Sequence, residues 1–366
     1  MCIVAADLRA HRVGKIALLP PGRWAWRLRD FAHAARPNNA PLPTLRRLGL
    51  AALLLTSVLA PGKAEDLAAY PARTVKVIIP STSGSTTDIL ARLVVEQLSR
   101  KWGKPVIVDN VGGAGMVIGA TLAARAPPDG YTLFLCPPSP VTFMHLLHRG
   151  LPFEPTQFVP IALLARVPNA LVVRKDFPAA DVKELIAYVK ANPGKVTFAS
   201  TGVGSTAHLS AIQIEQFAGL KMVHVPYRGA GPALNDVVAG HVDLFFDTMA
   251  TSVPMYRAEK VKILAVGSSE RSAVVPEIPT VSETGLPGFR SVTWFALVAP
   301  PGLERALADK INGDVVGVLR LPEVDATLQR LTLEPMIGSP ADAAKFFAEE
   351  TERWGRVIKD GNVTAE

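Results

Sequence analysis

Cysteine is nearly absent from this chain. Of 366 residues only Cys2 and Cys136 carry a thiol, and Cys2 falls in a leader, so the mature protein can form no internal disulfide and offers no cysteine pair for zinc. Familiar catalytic signatures are missing too. There is no G-x-S-x-G elbow, no G-x-x-x-x-G-K-[ST] loop and no H-E-x-x-H pair, which removes the sequence marks of α/β-hydrolases, P-loop nucleotide enzymes and zinc proteases. Beyond the leader, no apolar run approaches the roughly 20 residues that span a bilayer. The surplus of positive charge is local. Formal net charge is +7, but residues 1 to 64 hold 10 of the 39 Lys and Arg and 2 of the 32 Asp and Glu, leaving 29 basic against 30 acidic residues. Nucleic-acid binding then has no electrostatic footprint.

That leader reads as an export signal. Thr44-Leu45-Arg46-Arg47 is a positive start, Leu48 to Ala60 is a short apolar core, and Gly62-Lys63-Ala64 supplies small residues at −3 and −1. Cleavage is expected after Ala64, into a periplasm, with no cysteine there to carry a lipid anchor. Residues 1 to 43 precede a normal start and read as an over-extended reading frame, with a transit peptide as the alternative. The paired arginines leave twin-arginine export open.

From residue 65 onward, apolar runs of four to seven residues alternate with longer amphipathic stretches. This is the pattern of βα units and a mostly parallel sheet. Strands are expected near Lys76–Pro80, Val106–Asp109, Thr132–Cys136, Asn169–Val173, Thr197–Ser200, Val223–Pro226, Leu244–Asp247, Lys262–Gly267 and Trp294–Ala299. Breaks at Arg166 to Pro168 and at Ser268 to Pro279 mark two crossings between domains. The expected organisation is therefore a first domain of 70–167 with 270–366 and a second of 168–269. Helices after residue 300 have no strands of their own and are expected to pack on the first domain.

Two loops stand out. Val75 to Pro80 is an apolar strand that runs into Ser81-Thr82-Ser83-Gly84-Ser85-Thr86-Thr87 and then a helix, and Thr197 to Ser200 runs likewise into Thr201-Gly202-Val203-Gly204-Ser205-Thr206. A helix start leaves its first N–H groups unpaired at the positive end of the peptide dipoles, so such a junction receives a carboxylate or phosphate without needing arginine. One such loop alone is more often just a capped turn. Their recurrence in separate halves points to a ligand held between two domains. Asp247 ends the apolar run Val242 to Phe246, at the carboxyl edge where open α/β sheets bind ligands; its plainer role is to cap the helix near Met249. Beside an anionic ligand, it would call for a ligand that also offers a donor.

Other features carry less. Gly112-Gly113-Ala114-Gly115 with Gly119 departs from the dinucleotide fingerprint in spacing and lacks its closing acid, so these glycines read as close helix packing. Ser205 and His208 could share one helix face, but an isolated histidine at that spacing more often caps or lies on the surface. Cys136 reads as a small buried hydrophobe.

With these residues in place, the chain resembles the tripartite tricarboxylate transporter substrate-binding proteins, the Bug family of solute receptors, from about Tyr70 to Trp354. The resemblance is carried by Pro80 to Asp88, Asp109-Asn110 with Gly113-Ala114-Gly115, Pro128-Asp129-Gly130-Tyr131, Ala191-Asn192-Pro193-Gly194, Gly204-Ser205-Thr206 with His208, Val223 to Gly229, Phe246-Asp247 and Ile278-Pro279-Thr280. It implies a two-domain α/β periplasmic binding protein of type II-like architecture. Each domain would be a mostly parallel sheet flanked by helices, with a small carboxylate bound in the cleft between them. Carried over, the ligand contacts are Ser81, Ser83, Gly84, Ser85, Thr86 and Thr87 from one side. Ser200, Thr201, Gly204, Ser205, Thr206, Asp247 and Thr248 come from the other, with Tyr227 and Trp294 nearby. No catalytic residue, metal or cofactor is implied; the partners are the organic acid and, transiently, membrane transporter subunits of a receptor that is itself monomeric. A sensor for a membrane signalling protein and a periplasmic hydrolase stay open as alternatives. Ser81 where the family has an aromatic, Ser85 and Thr86 where it has glycines, and Val111-Gly112 where it has Arg-Pro favour a polar aliphatic acid over an aromatic one.

Overall fold

Residues Val75–Ile79 form the strand β1, and the elements that follow it lead to β3: α1 (Thr86–Trp102), β2 (Val106–Asn110), α2 (Val117–Ala124) and β3 (Thr132–Cys136). Then come α3 (Met144–Leu147), β4 (Val159–Arg174), α4 (Val182–Ala191), β5 (Thr197–Ser200), α5 (Thr206–Ala218), β6 (Val223–Pro226), α6 (Ala230–Ala239), β7 (Leu244–Thr248), α7 (Met249–Arg257) and β8 (Val261–Val266). The chain closes with β9 (Val292–Ala299), α8 (Arg305–Leu319), α9 (Pro322–Arg330), β10 (Glu334–Pro335) and α10 (Pro340–Asp360). This computed structural model describes residues 67 and 69–364; the export-signal assignment lies outside them. Among the described residues no helix is long and apolar enough to cross a membrane.

Two parallel triplets give the fold its symmetry. β1 lies between β2 and β3, and β5 lies between β6 and β7, all in parallel. In each triplet the central strand leads directly into a helix, α1 or α5, so both strand-to-helix junctions open at the carboxyl edge of their sheet. The remaining pairings are antiparallel, through β4, β9, β7, β8 and β10. The sheet is thus mixed rather than mostly parallel, because β4 and β9 run against their neighbours.

A single 16-residue strand, β4 serves both halves. Its first part pairs with β9 as far as Pro168, and its second part pairs with β7 from Asn169 onward. Proline normally interrupts a sheet because it cannot donate to the ladder. Here it sits where the strand exchanges one partner for another. The sequence break at Arg166 to Pro168 is therefore a change of partners inside one continuous strand. Asn169 reinforces the crossing, with its side chain bonded to Ser291 Oγ (2.7 Å) and Thr293 Oγ1 (2.9 Å). Its carbonyl accepts from Gly267 N–H at 2.7 Å.

The C-terminal helices divide their packing. Helix α8 lies on β4 and α1. In contrast, α10 and the residues just after it reach into both halves, with Trp354, Ile358 and Val363 packed on Phe143 and Leu147 and on Leu209 of α5. Glu350 is the polar anchor of this helix, its Oε2 accepting from the indole N–H groups of Trp294 (2.9 Å) and Trp354 (3.1 Å).

Candidate functional site

Two Gly-Ser-Thr segments, 84–86 and 204–206, are built alike. Gly84 and Gly204 take left-handed φ values of 78° and 73°, which glycine adopts without steric cost. Ser85 (φ −72°, ψ 160°) and Ser205 (φ −72°, ψ 159°) are N-caps, each accepting the amide of the third helical residue, Asp88 at 3.3 Å and His208 at 3.2 Å. Thr86 and Thr87, like Thr206 and Ala207, then open their helices with amides that have no acceptor within a helix. All four residues line one cavity of about 70 Å³ between the halves, and Arg228, Gly229 and Ala230, at the start of α6, join them. The cavity thus gathers the positive ends of α1, α5 and α6 around a small space. That arrangement suits an anion.

Hydroxyl contacts close the space. Thr86 Oγ1 and Thr248 Oγ1 meet across it at 2.6 Å, Thr248 Oγ1 lies 2.9 Å from Thr251 Oγ1, and Thr251 Oγ1 donates to Asp247 Oδ2 at 2.7 Å. The capping residue of α7 is Thr248, not Asp247. Asp247 instead stands in the cavity wall, 2% exposed, and burial pushes its carboxyl up to about 7 against the hydrogen bonds from Thr251 and the Thr248 amide.

Of the residues expected at a site, Ser81, Ser85, Thr86, Thr87, Thr201, Ser205, Thr206, Asp247 and Thr248 line this cavity. The others turn elsewhere for identifiable reasons. Ser83 Oγ (3.3 Å) and Gly84 N–H (2.9 Å) are taken by Asp88, which also holds Arg92 and Asn110. Ser200 Oγ is bonded to His224 Nε2 at 2.6 Å, and the Gly204 amide to His208 Nδ1 at 3.2 Å. Tyr227 donates to Asp236 at 2.6 Å and lines a neighbouring depression beside Thr201 to Val203. Trp294 lies on the opposite face of β9, stacked on Phe347; the alternation of the strand gives the cavity Thr293 and Phe295 instead.

His208 does not serve Ser205 as a base. Its Nδ1 accepts the Gly204 amide, its ring stacks on His224 at 4.0 Å, and no hydrogen bond joins the imidazole to the Ser205 hydroxyl. Burial, then the charge of His224, pushes His208 down to about 3. From α5 and β6, the two imidazoles hold the loop between them through Gly204 and Ser200.

The sequence reading passed over Arg228, Asn169 and Ser139. Arg228 follows a strand and precedes a helix, as the two chosen loops do, and that position is the signal that could have found it. Ser139 is 2% exposed, lines the cavity, and has an Oγ without any hydrogen-bond partner. A buried hydroxyl left unpaired costs about 1–3 kcal/mol unless something else satisfies it. Ser139→Ala is therefore expected to weaken ligand binding by about ten-fold, a loss of roughly 1.4 kcal/mol, while leaving the melting temperature of the free protein unchanged or raised. Calorimetry and thermal unfolding of the two proteins would check it.

Residues 90–363 match the model of the tripartite tricarboxylate transporter family receptor. An adipate-bound structure of Rpa4515 from R. palustris is 33% identical, covering 81% of this chain and 99% of its own, with a TM-score of 0.78. The periplasmic binding protein BugD is 32% identical over 81% of this chain and 99% of its own, at 0.77. MatC from Rhodopseudomonas palustris, solved with bound malate, is 34% identical over 79% of this chain and all of its own (100%), at 0.75. Paired helix starts around one small cavity, on a mixed sheet linked by a shared strand, thus occur here in a chain that belongs to the tripartite tricarboxylate transporter receptor family.

Proposed function

We propose that this protein is a periplasmic solute receptor that closes two domains on a small organic carboxylate and passes it to membrane transporter subunits. Its domains are 70–167 with 270–366 and 168–269, meeting where β4 changes partners at Pro168. The ligand contacts are Ser81, Ser85, Thr86 and Thr87 from the first domain, and Thr201, Ser205, Thr206, Asp247 and Thr248 from the second, with Arg228 and Ser139 added. The single observation that carries this reading is the pair of Gly-Ser-Thr helix starts turned into one cavity. Charge-assisted hydrogen bonds contribute about 1.5–3 kcal/mol each, so three or four of them account for most of a micromolar complex, about 8 kcal/mol. Malate in MatC and adipate in Rpa4515 indicate the chemical class, and the hydroxyl-rich lining here favours polar aliphatic acids. Export by the leader, action as a monomer and transient contact with the transporter complete the proposal.

A thermal-shift screen of the chain from residue 65 onward, against aliphatic and aromatic mono-, di- and tricarboxylates, tests it. Concentration-dependent stabilisation by a polar aliphatic acid, with one calorimetric site and no product by NMR, is the expected result. Turnover of the ligand, or stabilisation only by aromatic acids, would count against it.

A further inference from the structure

We propose that Asp247 works as an uncharged acid that keeps its proton beside the bound anion, so that above neutral pH the receptor takes up a proton with its ligand. The proposal rests on the carboxylate-receptor reading and adds to it a role for the one acidic side chain in the cavity.

First, the starts of α1, α5 and α6 line the space together with Arg228, and all of these favour negative charge there. Asp247 is the only acid among the lining residues, and at about 70 Å³ the cavity leaves no distance between it and a bound carboxylate. Two negative charges held that close repel, and a pair of carboxyl groups that share a site can hold one proton between them.

Second, no cation neutralises Asp247. Among the described residues it makes no ion pair, and the charged groups on the elements packed against β7 are engaged elsewhere. On β4, Arg166 pairs with Glu334, and Arg174 with Asp176 and Asp243. Helix α5 contributes His208, stacked on His224, and Glu215, which accepts the Met222 amide. Asp236 on α6 is held by Tyr227, and Arg257 on α7 donates to the Val274 carbonyl. Arg228 shares the cavity yet does not reach Asp247 as an ion pair. What Asp247 does have is a chain of hydroxyls, Thr251, Thr248 and then Thr86, that ends on the far side of the cleft.

Third, the carboxyl already lies near the point of changing state. Burial raises it to about 7, opposed by the hydrogen bonds from Thr251 and the Thr248 amide but by no ion pair. An anion placed beside it raises it further, since a like charge disfavours ionisation. The proton then comes from solvent, and the complex gains an O–H donor facing a carboxylate acceptor, a short charge-assisted hydrogen bond. This removes the need for the ligand to bring its own ammonium or hydroxyl group.

The test is calorimetry with L-malate and with adipate at about pH 8.5, in buffers of different ionisation enthalpy. Both acids are fully ionised there, so any uptake comes from the protein. The expected result is nearly one proton taken up per ligand, with affinity falling roughly ten-fold per pH unit above neutrality. Asp247→Asn, which keeps the shape but cannot ionise, is expected to lose both the uptake and the pH dependence. As a measurement free of any variant, the side-chain carbon shift of Asp247 in labelled protein should report a protonated acid at about pH 6, and should still report one at about pH 8.5 with ligand bound. Binding without proton uptake, or an Asp247 that is ionised at both pH values, overturns this proposal alone. Failure of both acids to bind overturns the carboxylate-receptor reading and this proposal with it, whatever state Asp247 is found in.

Discussion

Replacing Gly229 by valine is expected to weaken ligand binding by about 100-fold, close to 3 kcal/mol, while shifting the melting temperature of the ligand-free protein by less than about 3 °C. Gly229 belongs to the loop before α6, and its backbone is extended (φ 166°), a conformation open to any residue. A Cβ atom there would lie 2.3 Å from Thr82 Oγ1 and 3.2 Å from Thr82 Cβ, on the loop of the opposite half. The added side chain therefore wedges the two halves apart without straining either one. A receptor held open keeps its fold and loses the contacts that depend on closure, since a ligand can stabilise the closed state only by its differential affinity for it. Calorimetry and thermal unfolding of the variant would check both parts. Gly115 and Gly202 also meet across the cleft, but their φ values of 59° and 123° would add backbone strain, which makes Gly229 the cleaner probe.

The second large effect is on acid stability. Burial holds His208 at about 3 and His224 at about 4, whereas an unfolded histidine titrates near 6.5. The folded state thus prefers both rings neutral. This contribution is complete above pH 6.5 and is lost progressively as pH falls towards the folded values, because the unfolded chain binds protons that the native stack rejects. Asp247 acts in the opposite sense. Its raised carboxyl adds stability as pH falls from about 7 towards 3.8, so the whole-protein profile is shallower than the histidines alone would give. Comparison with His208→Asn isolates one ring, because an amide oxygen can still accept from Gly204. Between about pH 7.5 and 4.5, wild type is expected to lose about 2–3 kcal/mol more unfolding free energy than this variant, as measured by urea denaturation. Equal losses in the two proteins would mean that His208 is not held neutral by the fold. His224 is more exposed and contributes less than its shift implies.

What the sequence made legible follows from which interactions are local. The Gly-Ser-Thr junctions, the cap serines and the helices after them are set by neighbours within four residues, and they were readable at 84–86 and 204–206. The parallel triplets followed from the alternation of short apolar runs with amphipathic ones. Side-chain direction was not readable where both faces of a strand are buried. Trp294, Thr293 and Phe295 are equally plausible in sequence, and only the register of β9 against β4 puts Trp294 on the far side. Ser83 and Gly84 looked available until Asp88 claimed them from the next turn. Pro168 read as a break because a proline inside a strand is costly, and the exchange of partners that makes it tolerable there is a tertiary fact. Ser139 carries no local signal at all, since its importance comes from a loop after β3 being brought beside Gly204 and Ser205.

The molecule has another concave surface besides the central cavity. A groove of about 770 Å³, lined by Arg166, Arg271, Arg290 and Glu334, is larger than the central cavity. Within the groove Arg166 is paired with Glu334, Arg271 is paired with Glu283 beyond the lining, and no long helix begins there. Size alone would choose the groove; the chemistry of an anion chooses the smaller cavity.

A crystal structure of the protein with the best carboxylate from the screen would locate the anion site. The expected result is one carboxylate group within about 3 Å of the amides that open α1 and α5, at Thr86 or Thr87 and at Thr206 or Ala207, with the two halves closed over it. A ligand seated in the outer groove beside Arg271, or bound in the cavity with its carboxylate turned away from both helix starts, would contradict it.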